Sequence, residues 1–323
     1  MATPSVVPPL FDLLEDLLYV PALDWCVDAT VSVPRAFISH AHTDHFARHG
    51  EGHCSFETAL LLQSSRSRPD RLLTHPLGRP VRAGEITFTL LPAGHILGSA
   101  QLFLEGGGTT ALYAGDVRPS GSRTAPPAAV PRADLLIVEG TYAEARYDHT
   151  PAAKAEEQAV EFVRRCVRQE HFPVFVTMGR AGKALDLLMA LGEAGLRGVL
   201  HAPIHRAAEC YTRAGIPVPP AAPWTPDQPP EGDYLVVTAA SLETVRRRLP
   251  VPSCRTAFLS GWAAEGGTEF DAYIAWSDHA DFEELLEFVE RVDPREVWTF
   301  ADGGKFAAEL NRRGRPAQSL DEG

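Results

Sequence analysis

The chain has 323 residues, 45% of them hydrophobic, enough for one large domain or two medium ones around a substantial core. Its 42 acidic and 30 basic residues give a formal charge of −12, which excludes the broad basic surface that usually holds nucleic acid and leaves any polyanion to local Arg clusters or metal ions. Cys26, Cys54, Cys166, Cys210 and Cys254 are scattered with no C-x-x-C pair, which argues against a thiolate zinc site and fits free thiols in a reducing compartment.

The opening segment, "MATPSVVPPLFDLLEDLLYV", has no basic n-region and carries Asp12, Glu15 and Asp16 within its apolar part. No later run reaches about 18 uninterrupted apolar residues, so a cytoplasmic protein with no membrane span is expected. From residue 17 to about 140, short runs rich in β-branched and aromatic residues read as strands: "LLYV", "WCVDAT", "AFISH", "ITFTLLPA", "AQLFLE", "TALYAGD" and "LLIVEGTY". "PAAKAEEQAVEFVRRCVRQE" then spaces Ala155, Ala159, Phe162, Val163 and Cys166 at helical period. A strand, "FPVFVT", and a second helix, "KALDLLMALGEAG", complete an α/β unit. After a Pro-rich link come "YLVVTA" and "TAFLSGW", and the last fifty residues alternate strand and helix. An α/β fold is expected, with a β-rich domain in residues 1–148 and 273–323 interrupted by a smaller α/β domain at 149–272.

"FISHAHTDHF", residues 37–46, crowds three imidazoles and a carboxylate into six positions directly after a strand. Side chains two apart on an extended chain point the same way, so His40 and His42 can converge on one metal, while Asp44 and His45, in the turn beyond, can face a second. Imidazole and carboxylate donors without thiolate suit zinc or manganese in an open, catalytic site. Further donors are offered by His95 in "LLPAGHILGS" and Asp116 in "ALYAGDVRP", each where a strand stops beside Gly.

In these residues the chain resembles the metallo-β-lactamase superfamily, whose fold is an αββα sandwich with metals at one sheet edge. Within it, "VEGTY" looks like motif A of the β-CASP nucleases, with Glu139 as its acid, and "WSDHADFEELLEF" like motif B, with His279 as its histidine. The order of "MGRAGKALDLL", "LHAPIHRAAECYTRAGI" and "FLSGWA" is similar to that in bacterial ligase-associated DNA exonuclease-like members. The resemblance implies two divalent ions, zinc and/or manganese. His40, His42 and His95 would hold one, Asp44 and His45 the second, with Asp116 between them and Asp28 supporting the ligands. Where the family has a last ligand in "V-H-G", this chain has "VWTFADGGKF"; Asp302 takes that place, or Ala301 after a one-residue slip.

The implied chemistry is phosphodiester hydrolysis by metal-activated water, with Asp44 at the second metal and His279, kept protonated and oriented by a carboxylate such as Glu139, protonating the leaving oxygen. The implied partner is nucleic acid, with DNA exonuclease-like action ahead of RNA processing. A small-molecule hydrolase and a degenerate binding scaffold are the competing readings. "TMGRAGKA" can present backbone N–H groups and Lys183 to a phosphate or simply enter a helix. His201, His205 and Arg206 lie near another helix start, and "SSRSRPDR" and "VRRRLP" read as solvated basic faces.

Overall fold

The computed structural model describes residues 9–321, so the first eight residues of the opening segment lie outside it. The chain divides into two compact units. One consists of Met1–Gly121, Pro126–Glu144 and Glu284–Gly323, the other of Ser122–Ala125 and Ala145–Glu283. Among the described residues no helix is long and apolar enough to cross a membrane.

The first unit contains two sheets. In one, β1 (Asp12–Leu14), β2 (Leu17–Val20), β3 (Trp25–Val27), β4 (Arg35–Phe37), β5 (Glu51–Cys54) and β6 (Arg71–Thr74) lie in chain order. The first three strands are antiparallel, and β3 to β6 run parallel. Glu15 and Asp16, at φ 49° and 66°, form the two-residue turn between β1 and β2, a left-handed conformation that suits a tight hairpin. The other sheet comprises β7 (Val81–Ala83), β8 (Ile86–Pro92), β9 (Ala100–Gly106), β10 (Thr109–Tyr113) and β11 (Leu135–Glu139). It is completed beyond β11 by β18 (Glu296–Phe300) and β19 (Ala317–Ser319), both parallel to it.

Alternation along β8 to β10 sends Phe88, Leu90, Leu102, Leu104, Ala111 and Tyr113 to one face. There they pack with Val20, Trp25, Val27 and Phe37 of the first sheet, so the two sheets share one core. Full burial of each large apolar side chain contributes roughly 1.5–3 kcal/mol, which anchors the strand ends from which the candidate ligands project. Three helices join this unit: α1 (Phe56–Leu62), most of α6 (Phe282–Val292) and α7 (Lys305–Arg312). The strand-only reading of residues 17–140 omits α1, whose seven residues are too few for a helical period to stand out.

In the second unit, β12 (Phe172–Thr177), β13 (Gly198–Leu200), β14 (Ala222–Pro223), β15 (Tyr234–Thr238), β16 (Cys254–Leu259) and β17 (Ala272–Ile274) form a parallel sheet. Its order is β14-β13-β15-β12-β16-β17. Four helices belong to it: α2 (Ala152–Arg168), α3 (Lys183–Glu193), α4 (Ala202–Arg213) and α5 (Leu242–Arg248). The buried stripe of α2 is Ala155, Ala159, Phe162, Val163 and Cys166, the set picked out by helical spacing. The basic run on α5 is solvent-exposed at Arg246, Arg247 and Arg248.

The turn into α7 is built on two carboxylates. Asp302 accepts N–H bonds from Phe306 at 2.6 Å and Gly304 at 3.3 Å and the Thr299 hydroxyl at 3.1 Å, satisfying donors that the first helical turn leaves unpaired. Asp321 accepts from the N–H groups of Ala301, Asp302 and Gly303 at 3.0, 2.8 and 2.8 Å, and Ala301 adopts φ 59° to present its own. Partial burial pushes the Asp302 carboxyl above its ordinary value. At Asp321 burial acts the same way but is outweighed by the three backbone donors, so that carboxyl lies below it. A depressed carboxyl contributes stability above its unfolded pKa and loses it as pH falls through the folded value. Asp321→Ala is therefore expected to destabilise by about 1 kcal/mol at neutral pH, with a difference from wild type that shrinks on acidification. Thermal unfolding of both proteins across the acid range checks this, and identical midpoints at pH 7 would remove Asp321 from the account.

Candidate metal centre

The chain leaves the first sheet after Phe37, so His40 and His42 emerge just beyond the carboxyl end of a parallel strand. His95 lies in the short loop between β8 and β9, and that loop is tightly constrained. Gly94 has φ +80°, and a Cβ there would lie 1.9 Å from the Arg118 carbonyl oxygen. At Gly98, φ +76°, a Cβ would lie 2.6 Å from the Thr58 nitrogen. Both positions require glycine. The N–H groups of His95 and Ile96 donate to Ser99 Oγ at 3.1 and 3.2 Å. The Gly98 carbonyl accepts from Ser55 Oγ at 2.6 Å and Thr58 Oγ1 at 2.9 Å, so the N-terminus of α1 fixes the loop from outside. Asp116 follows β10 after Gly115, whose φ of 61° turns the chain.

These segments converge on one carboxylate oxygen. Asp116 Oδ2 lies 3.5 Å from His40 Nε2, 3.4 Å from His45 Nε2 and 3.6 Å from His95 Nε2. His95 Nε2 is in turn 3.0 Å from His42 Nδ1. His40, His42, His95 and Asp116 each offer a ligand atom within 4.8 Å of the others, and Asp28, His40 and His45 form a second such group. Four donors held about 2.0–2.1 Å from one tetrahedral zinc would be roughly 3.3 Å apart. The observed separations are close to that, and His40 Nε2 is buried without a hydrogen-bond partner. This donor set fits a divalent cation.

Electrostatics divides the imidazoles. Burial holds His40 well below the ordinary histidine range, the neutral form that ligation requires. Burial pulls His45 the same way, but the nearby Asp116 and Asp28 carboxylates outweigh it and hold His45 well above that range. Asp28 is the hub behind the cluster. Its φ of 46° directs one oxygen to the Ser39 N–H at 2.7 Å and the other to His45 Nδ1 at 2.9 Å and the Tyr113 hydroxyl at 2.8 Å. Ser39 Oγ also bonds Asp28 and lies 3.0 Å from His40 Nδ1, so one carboxylate orients two rings. Tyr113, buried beside Asp28, has its phenol pushed well up by burial and by that carboxylate. Tyr113 and Ser39 carry no motif; their role is visible only in three dimensions.

Glu139, 1% exposed, ends β11 with one oxygen on the Val117 N–H at 2.7 Å and the other on the Thr141 hydroxyl at 2.6 Å. It thus braces the turn that carries Asp116. Asp44 is solvent-exposed and belongs to neither donor group. Asp302 is not gathered into these groups either: its carboxylate is engaged at the start of α7, the physical reason that an Asp in the place of the family's imidazole need not serve as a ligand. Of the alternative at Ala301, only a backbone N–H is engaged, donated to Asp321.

His279 belongs to the second unit, partly buried in the turn before α6, with its N–H on Ser277 Oγ at 3.0 Å. In that unit Lys183 differs from the phosphate-contact reading. Its ammonium is 5% exposed and sits 2.7 Å from Asp278 Oδ1, so its charge is neutralised internally. The pair ties the start of α3 to the residue preceding His279. His201 and His205 lie at the start of α4, with the His201 ring tilted against Trp224 at 5.8 Å.

No family model matches the chain. It is 36% identical over 316 residues to a protein of Opitutus terrae called "Probable DNA ligase", covering 94% of this chain and 30% of that protein. It is 29% identical over 194 residues to an "RNase J-like protein" of Methanocaldococcus jannaschii, covering 52% and 44% of the two chains. Over 181 residues it is 29% identical to "5' exonuclease Apollo" of Gallus gallus, covering 52% and 38%. The chain thus spans less than half the length of each of these relatives. A solved structure from Enterococcus faecalis, of a protein of unknown function, superposes with a TM-score of 0.54 at 16% identity over 87% of this chain and 78% of that one, a likeness of fold alone. These likenesses, together with histidines from two loops gathered on a carboxylate, agree with the resemblance of the chain's motifs to the metallo-β-lactamase/β-CASP family.

Proposed function

We propose that the protein is a metal-dependent nuclease that hydrolyses phosphodiester bonds, DNA exonuclease-like, acting in the cytoplasm. The observation that carries this reading is the placement of Asp116 Oδ2 within 3.4–3.6 Å of three imidazole nitrogens contributed by two separate loops. In this reading the first unit is an αββα sandwich and residues 149–272 are a β-CASP insertion. His40, His42, His95 and Asp116 would hold one ion, and Asp44 and His45 would hold a second; zinc and manganese suit such donors. Bound there, divalent ions supply Lewis acidity, making water more acidic and drawing charge from a phosphoryl oxygen.

The chain's own groups supply the rest. Asp28 and Ser39 keep His45 and His40 in place, and Glu139 keeps the Asp116 turn rigid. His279 would deliver a proton to the departing oxygen, and the buried Lys183–Asp278 pair steadies the turn from which it would act. DNA is favoured because similarity to the Opitutus "Probable DNA ligase" runs through 94% of the chain. Likeness to the "RNase J-like protein", over 52% of it, supports RNA as the second reading. Digestion of plasmid, linear DNA and RNA substrates side by side separates the two.

His42→Ala and Asp116→Asn are expected to keep the fold by circular dichroism, lose bound metal and abolish hydrolysis. Asp302→Asn should retain both metal and activity, because its carboxylate works at α7. Metal analysis beside a nuclease assay checks all three; near wild-type turnover by Asp116→Asn would place the chemistry elsewhere.

His279→Ala should retain metal and lose roughly 10²- to 10⁴-fold in turnover on a nucleic-acid substrate, the usual worth of a positioned acid. A nitrophenyl phosphodiester, whose leaving group needs no proton, should lose much less. Equal losses on the two substrates would reassign His279 to binding or folding.

A further inference from the structure

The parallel sheet of the second unit has an unassigned cavity at the carboxyl ends of its central strands. β12, β15 and β16 end at Thr177, Thr238 and Leu259. Met178 and Ala239, the residues immediately after the first two, line a cavity of about 490 Å³ with Trp262, just beyond the third. In open α/β sheets such carboxyl-end crevices are where ligands bind, above all where successive connections leave in opposite directions. Here β12 connects to β13 on one side of the sheet while β15 connects to β16 across it. The volume lies within the roughly 300–1,000 Å³ of small-molecule sites.

The lining is aromatic. Phe258, Phe270 and Tyr273 join Trp262, and Trp262 and Met178 are 42% and 59% exposed, unusual for residues so apolar. The walls are held in place. Trp262 stands edge-on to Tyr147 with centroids 5.1 Å apart, and Phe258 stacks on Phe270 at 4.9 Å. The Tyr273 hydroxyl accepts the N–H groups of Glu269 and Phe270 at 2.9 and 3.1 Å, which shapes the loop that forms the rim. A Cβ at Gly267 would lie 2.5 Å from that hydroxyl, so the loop approaches as closely as only glycine permits.

The polar character of the rim selects among flat ligands. None of the lining residues is Lys or Arg, and Glu269 is among them, so a phosphate finds no cationic partner here and meets a carboxylate. A carboxylate acceptor beside aromatic faces suits a planar group bearing N–H donors. We propose that this cavity binds a single unpaired nucleobase, stacked on Trp262, with Glu269 accepting from an exocyclic amino group, and thus favours amino-bearing bases over thymine. The site rests on the nuclease reading for its source of bases, and deepens it by assigning base contact to the second unit, by stacking and apart from the phosphate backbone.

The test uses 2′-deoxyadenosine, which has no phosphodiester bond, so binding is measured apart from hydrolysis. Titration into the full-length protein should quench tryptophan fluorescence saturably. Trp262→Phe should retain binding, measured by saturation-transfer NMR, while Trp262→Ala weakens it roughly 5- to 100-fold, the usual effect of removing one stacking partner. Thymidine should bind more weakly than deoxyadenosine to wild type, and Glu269→Gln should narrow that gap. Deoxyribose should not bind. Equal affinity of wild type and Trp262→Ala, or no saturable binding by wild type, overturns the base site. The two readings fail separately: DNA hydrolysis without nucleoside binding overturns the cavity assignment, and nucleoside binding without hydrolysis of any nucleic acid overturns the nuclease.

Discussion

A single carboxylate oxygen, Asp116 Oδ2, within 3.6 Å of three imidazole nitrogens is the constraint on which the first unit depends. His40 and His95 are fully buried there and Asp116 is 7% exposed, so these groups have surrendered most of their hydration. Desolvated polar groups that are not fully compensated cost several kcal/mol in total, against a net stability of only about 5–15 kcal/mol for a domain. The surrounding structure answers that cost with a dense set of second partners. Asp28 accepts from Ser39, His45 and Tyr113, Glu139 from the Val117 N–H and Thr141, and Ser99 from the His95 N–H. A cation bound by these donors would complete the compensation, which links metal uptake to the stability of this edge.

Placing donors from distant segments at one point demands rigid loops on rigid strands. Parallel strands β3 to β6 all end on one edge, so residues following them arrive together without long connections. The β8–β9 loop is held where it passes Arg118 and Thr58 by two glycines that tolerate positive φ, and by hydroxyls from the start of α1. Any side chain at either glycine would displace His95 by more than a hydrogen bond can absorb. Local backbone chemistry, more than the cluster's own attraction, therefore sets the separations observed.

Much of this was legible in the sequence, unevenly and for physical reasons. The H-x-H-x-D-H spacing joined to a strand makes convergence of His40 and His42 readable, since strand period alone brings alternate side chains to one side. The long alternating strands β8 to β10 and the stripe of α2 were equally plain. β5, "EGHC", and β6, "RLLT", were not, because neither alternates and Thr74 is their one β-branched residue, so pairing with neighbours decides their state. The resemblance gives Asp28 a role supporting the ligands, but its reach to Tyr113, 85 positions away, has no sequence signature. At Asp302 an acidic residue before "GG" suits a metal and a helix start alike, and its hydrogen bonds to Gly304 and Phe306 are visible only in three dimensions. For Lys183 the sequence leaves phosphate contact and plain helix entry both open, and burial beside Asp278 commits its charge within the protein.

The net charge of −12 sets the terms on which the proposed substrate would be held. A protein that neutralises many phosphates with Lys and Arg gains affinity from counterion release and loses it steeply with salt. This chain has 12 more acidic than basic side chains, and many of its arginines are already paired, among them Arg123 with Glu156 and Glu193, Arg248 with Asp227 and Arg313 with Glu309. Long-range attraction of a polyanion is therefore weak, and affinity has to come from short-range contacts. Divalent ions at the Asp116 cluster would supply local positive charge where a scissile phosphate must sit, and aromatic faces would supply stacking that salt scarcely screens. Both contributions fall off over short distances, so neither replaces the long-range field that a basic surface would provide.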